Sequence, residues 1–158
     1  MLECKQNNLF EAREMELLRE FLNAGVQFAA VGGAAVILHG HCRAREDLDL
    51  VIDGAHSNID RLEHVCLNWY RFTQKLIQGL KQDDAKIRDR ERGVDLLKEI
   101  AGVPTEDLMR DRIFVTVGDV SVPVMSLEHL FASKKCIGED KDLADIDALK
   151  KIMLHDKE

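Results

Sequence analysis

Two aspartates, Asp47 and Asp49, stand two residues apart at the head of an apolar run, Leu48 to Ile52. In an extended strand, residues i and i+2 project from the same face, so both carboxylates point the same way. Two such charges at roughly 4 Å, with an effective dielectric near 20, repel by about 4 kcal/mol. A fold tolerates that when a proton or a cation sits between them. Fourteen residues before Asp47 lies Gly33, the second member of a Gly32-Gly33 pair that ends an apolar, strand-like stretch. Glycines there permit a tight turn and close approach of a ligand to the backbone. If a helix starts at that turn, its free N–H groups and dipole favour an anion such as phosphate. Mg²⁺ (or Mn²⁺) between carboxylates and substrate phosphates satisfies both features at once.

The order glycine pair, short apolar segment Ala34 to Leu38, then Asp47-Leu48-Asp49 resembles the minimal nucleotidyltransferase domain of the DNA polymerase β-like superfamily. Downstream, Val94-Asp95-Leu96-Leu97 resembles the later strand that carries that family's third carboxylate. The stretch Pro123 to Lys134, followed by Lys141-Asp142-Leu143-Ala144-Asp145, is similar to a bacterial subgroup of small stand-alone members. That subgroup is similar to the nucleotidyltransferases of toxin–antitoxin and abortive-infection systems, and to small antibiotic nucleotidyltransferases. The likeness spans roughly residues 26 to 155 and is poor between about 56 and 92.

The resemblance implies an α/β fold, a small mixed sheet with helices packed against it, and transfer of a nucleoside monophosphate from a nucleoside triphosphate. Asp47, Asp49 and Asp95 would be its catalytic residues and metal ligands, and Gly32, Gly33, Arg43, Lys134 and Lys141 would hold the nucleotide. Arg43 takes the position of the subgroup's arginine four residues before the first aspartate, and Lys134 and Lys141 keep its spacing. Two departures stand out. Arg45 occupies a position that is often Thr, and Glu139 one that is often Arg. Each assignment has a plainer rival. The glycines also suit an ordinary strand-to-helix turn, and Asp95 also suits the surface of a helix, since its local composition fits either element. The two arginines also suit a solvated loop, and Asp142 and Asp145 suit capping the last helix and pairing with neighbours. The six histidines show no metal-ligand spacing.

Length and composition bound the function. A chain of 158 residues is the size of one domain, here taken as a single unit over 1–158. Its net charge of −7 argues against nonspecific coating of nucleic acid, which needs Lys and Arg against phosphates. Four cysteines at 4, 42, 66 and 136 form no Cys-x-x-Cys, so free thiols in a reducing cytoplasm are expected. No secretory pattern opens the chain, and the longest apolar run is too short to cross a membrane. The acceptor is open between protein, tRNA and small molecule. A helical antitoxin-like partner or a homodimer would supply missing acceptor surface. The rival from another class is a partner-binding protein on this fold with little or no catalysis.

The elements that must position these residues follow from periodicity and punctuation. Asn7 or Asn8 is expected to cap a first helix that Gly25 stops. A strand over 26–31, a short helix from Gly33 to His39 and a strand over 48–52 follow. Residues 57–80 read as one or two helices, with Trp69 and Phe72 in the core, and the charged segment 82–92 reads as solvated. Ile113 to Val117 and Ser121 to Val124 read as a hairpin about Gly118-Asp119. Ser126 caps a helix ending at Gly138, and Asp142 opens a last helix carrying Leu143, Ile146, Leu149 and Met153 on one face.

Overall fold

The computed structural model describes residues 9–66, 74–83, 85–91 and 93–156. Asn7, Asn8, Trp69 and Phe72 lie outside them. Helix α1 (Ala12–Asn23) begins at Glu11 through a reciprocal capping box with Glu14, and the chain leaves it through Gly25 at φ 74°. Strand β1 (Phe28–Val31) feeds directly into α2 (Gly32–Leu38), one residue earlier than the glycine pair predicts. Strand β2 (Leu48–Ile52) follows, then α3 (His56–Cys66) and α4 (Gln74–Gln78), which runs into a single 3₁₀ turn over Gly79–Lys81.

The charged segment thought to be solvated contains a strand, β3 (Ile87–Asp89), paired antiparallel with β4 (Val94–Leu97). One buried side chain, Ile87, anchors it, too little apolar signal for alternation to register. A further helix, α5 (Thr105–Asp111), precedes the hairpin of β5 (Ile113–Val117) and β6 (Val120–Val124). Ser126 caps α6 (Leu127–Ile137) by accepting from the His129 N–H, and Gly138 closes it in the left-handed region. Helix α7 (Asp140–Asp156) starts two residues before Asp142. Only Ile146 and Leu149 of its expected apolar face are buried, while Leu143 and Met153 are exposed.

Among the described residues, six strands form one mixed sheet in the order β3-β4-β2-β1-β6-β5. β1 runs antiparallel to β2 and parallel to β6, and β2 runs parallel to β4. β1 is buried at every position, so both of its faces are covered. Phe21 of α1 meets Phe28 edge to face at 5.5 Å between ring centroids. Leu48, Leu50 and Ile52 are fully buried, each contributing about 1.5–3 kcal/mol by burial. That anchoring fixes the register of β2, and a slip of one residue would turn its aspartates into the core. No helix among the described residues is long and apolar enough to cross a membrane. Cys136 is a free thiol, but Cys42 is disulfide-bonded, which corrects the expectation of free thiols throughout. Spacing along a chain does not report which thiols meet in space.

Candidate active site

Register places one charged row across the sheet. Arg88 of β3 lies opposite Asp95 of β4, Asp95 opposite Asp49 of β2, and Asp49 opposite Val31 of β1. Directly opposed residues share a face. On β4 the neighbours Val94 and Leu96 are buried, leaving Asp95 on the face away from them. Asp95 therefore stands beside Asp49 because Val94-Asp95-Leu96-Leu97 is a strand, not a helix.

Asp49 is half-buried, and its carboxyl is pushed up to about 6. Burial is the largest cause, followed by the charge of Asp95, a hydrogen bond with Asp95 and the charge of Asp47, with Arg88 opposing. Two carboxylates in hydrogen-bonding contact need a proton between them, or a cation in its place. Asp47 sits exposed just before β2. The neighbouring turn leaves it room: a Cβ on Gly93 would lie 3.5 Å from Asp47 Oδ1 and 3.3 Å from the Glu46 carbonyl.

The glycine pair has a steric role that the sequence does not reveal. Gly32 has φ +57°, and a Cβ there would lie 2.8 Å from Asp49 Oδ2. Any side chain would both strain the backbone and strike the carboxylate. A Cβ on Gly33 would lie 3.3 Å from Arg43 Nη2, a tighter than ordinary contact at normal φ.

The cations are less free than the spacing implies. Arg43 grips Asp145 through Nε at 2.8 Å and Nη2 at 3.0 Å, and donates Nη1 to the Ala44 carbonyl. Lys134 is buried, with Nζ 3.1 Å from Asp142 and 2.9 Å from Asp145. Burial alone would raise the Asp145 carboxyl, but Lys134 and Arg43 outweigh it and hold it below the usual carboxylate range. Asp142 and Asp145 thus pair with neighbours, as their plainer reading has it. Lys141 is exposed, 3.6 Å from Glu139. Arg45 donates to buried Glu14 at 2.6 Å and lies over the Phe10 ring. It clamps the start of α1 onto the loop before β2.

Gly32, Gly33, Arg43, Lys141, Asp47 and Asp49 line one cleft of about 620 Å³, with Lys134 in its wall. Asp95 meets this group through Asp49 from the adjacent strand. Sequence reasoning missed Arg88, because its alignment with the aspartates exists only once β3 pairs with β4. His39 is structural: burial lowers its pKa, and the neutral ring donates from Nε2 to the Met125 carbonyl at 2.8 Å.

A divalent cation fits this donor set in one way and not in another. Among the described residues, no group of three or more His, Cys, Asp or Glu forms a ready cage. The Asp49–Asp95 pair, however, is a hard-oxygen site whose mutual repulsion a cation would relieve. Mg²⁺ is commonly held by one or two carboxylates and completed by substrate phosphates.

Residues 12–158 match the family model described as nucleotidyl transferase of unknown function (DUF2204). No curated protein matches the sequence. The fold is similar to the crystal structure of a candidate nucleotidyltransferase from Thermotoga maritima. The two are 17% identical, with a TM-score of 0.54 over 92% of this chain and 96% of that one.

Proposed function

Because the chain belongs to the nucleotidyl transferase family of unknown function (DUF2204), we propose that it moves a nucleoside monophosphate from a nucleoside triphosphate to an acceptor. The observation that carries the reading is the Asp49–Asp95 contact against the Gly32 turn, a like-charge pair that Arg88 offsets only in part. Asp49, Asp95 and, from the rim, Asp47 would hold Mg²⁺ or Mn²⁺, which when bound neutralises phosphate charge and acidifies the attacking hydroxyl.

The chain's own residues then do the positioning. Gly32, having no Cβ, lets the backbone and the Asp49 carboxylate share one small space, and so lets the α-phosphate approach both. The Gly32-Gly33 turn and Lys141 face the triphosphate. Arg43 and Lys134 contribute rigid walls more than net charge, since Asp145 and Asp142 already balance them. An acceptor oxygen attacks the α-phosphorus, its proton passes to the Asp95 carboxylate, the bridging bond to the β-phosphate breaks, and pyrophosphate leaves. Four α-labelled nucleoside triphosphates, offered with tRNA, protein, aminoglycoside and phosphorylated small-molecule acceptors, test the reading. Label transferred in one combination supports it. Absence of transfer and of nucleotide binding in all would overturn it.

A second reading, a partner-binding protein with weak or no catalysis, draws on a specific observation. The two best-placed cations are spent on internal ion pairs, and the edge strand β5 exposes Ile113 and Phe114. An antitoxin-like helix or a second copy of the chain would then be the partner. Metal-dependent nucleotide binding separates this reading from the first.

A further inference from the structure

A second cleft of about 700 Å³ adjoins the first at Asp49. It shares Gly32, Asp49, Lys134 and Ile137 with the first and then diverges toward β3 and the segment after β4. Its charged lining is mostly basic: Lys86, Arg88 and Lys98 stand there against Glu99. Lys98 is held in place by donating to the Gln82 carbonyl at 2.8 Å. The side chains of Lys86 and Arg88 enter no ion pair or hydrogen bond among the described residues, unlike those of Arg43 and Lys134. Leu97, Ile100 and Leu130 supply an apolar floor. On a chain of net charge −7, such a cluster beside a site of chemistry calls for an anionic ligand.

We propose that this cleft binds the acceptor, and that the acceptor is a small phosphorylated molecule whose phosphate is held by Arg88, Lys86 and Lys98. The inference rests on the nucleotidyl transfer reading and extends it. In-line displacement puts the attacking and leaving oxygens on opposite sides of the α-phosphorus. Two adjoining clefts that share Asp49 and otherwise have different linings give the leaving group and the nucleophile separate places. With the triphosphate against the Gly32-Gly33 turn, the nucleophile enters from the Arg88 side. A hydroxyl oxygen of the acceptor forms the new bond to the α-phosphorus, its proton passes to Asp95, and the α–β bridging bond breaks to release pyrophosphate. The acceptor's own phosphate is a handle and is not consumed. The cleft has the volume of a small-molecule site, and the chain's net charge of −7 disfavours a long polyanion.

Calorimetric titration of the full-length protein with ribose 5-phosphate, and separately with Mg²⁺–nucleoside triphosphate, tests this. Wild type should bind the sugar phosphate. Arg88→Gln and Lys98→Gln should each weaken that binding by about tenfold, roughly one charge-assisted contact. Arg88→Lys should recover much of it, and triphosphate affinity should stay unchanged in Lys98→Gln. Sugar phosphate that binds equally in wild type and variants, or not at all, overturns the proposal. So does triphosphate binding that falls with Lys98→Gln, because the cleft would then be the nucleotide's. An RNA that binds through Arg88 and excludes the sugar phosphate also overturns it. If the sugar phosphate binds through Arg88 but no triphosphate binds with Mg²⁺, the anion site stands. Its role as acceptor site then falls together with the transfer reading.

Discussion

Two acidic regions lie within one small molecule and are built on opposite principles. In α7, Asp142 and Asp145 are buried, yet each meets a cation placed for it, and the cluster of Arg43, Lys134 and the two aspartates is balanced. On the sheet, Asp49 and Asp95 meet each other. Their nearest cation, Arg88, acts only at a distance and does not offset the rise of the Asp49 carboxyl to about 6. A buried pair of opposite charges serves structure. A half-buried pair of like charges costs stability and persists where a ligand supplies the missing charge. The acids to remove for activity and the acids to remove for stability are therefore different residues.

The largest effect should come from the sheet. Asp49→Asn, Asp47→Asn and Asp95→Ala should each lower transfer by at least about a hundredfold, the lower end for a positioned catalytic group. Their metal-free folds should melt no lower than wild type. Full activity in Asp95→Ala would remove Asp95 from the site despite its place in the row. The reverse pattern belongs to α7. Asp145→Asn takes the carboxylate from Arg43 and one of two from Lys134, and should cost about 3 kcal/mol in denaturant unfolding, near the low end for breaking a buried pair because Lys134 keeps Asp142 and Arg43 keeps some solvent. Unchanged stability there would show that the cluster is not held as drawn.

A subtler contrast lies in pH. The Asp49 carboxyl is raised from 3.8 to about 6 in the fold. The folded state thus binds its proton more tightly than the unfolded chain does. The stability it contributes is fully present below about 3.8 and is lost as pH rises through about 6. Metal-free wild type should lose stability across that window relative to Asp49→Asn, and Mg²⁺ should restore it at the upper end. Parallel melting curves for the two proteins would contradict the assignment. A smaller effect is expected at the clamp on α1. Arg45→Ala leaves Glu14 buried without its partner and uncovers Phe10, for about 1–2 kcal/mol. The exposed Arg19–Asp119 pair should be the floor of the series, with no measurable change in melting temperature for Arg19→Ala.

Much of the sheet side was legible from sequence because its signals are local. Asp47 and Asp49 are two residues apart and the glycines abut an apolar strand, whereas Val94-Asp95-Leu96-Leu97 fits strand and helix alike. The likeness to known nucleotidyltransferases selected strand over helix where composition was neutral. What stayed hidden is non-local. Arg43 and Asp145 are 102 residues apart, so the spacing that marked Arg43 and Lys134 as phosphate ligands says nothing of the acids waiting for them. Strand β3 carries one buried residue, and Arg88 joins the row only through pairing. The steric demand on Gly32 likewise arises from Asp49 on another strand. The opening of α1 at Glu11 in place of an asparagine reflects a capping box in which two glutamates replace the usual polar cap.

We propose that Asp49 and its neighbours await a cation that arrives with a nucleotide. Calorimetric titration of a nucleoside triphosphate into wild type and Asp49→Asn, each with and without Mg²⁺, tests it most directly. Mg²⁺ should tighten binding to wild type by at least about tenfold, some 1.4 kcal/mol, and leave Asp49→Asn unaffected. Equal affinity with and without Mg²⁺ in wild type, or the same Mg²⁺ effect in both proteins, would contradict it.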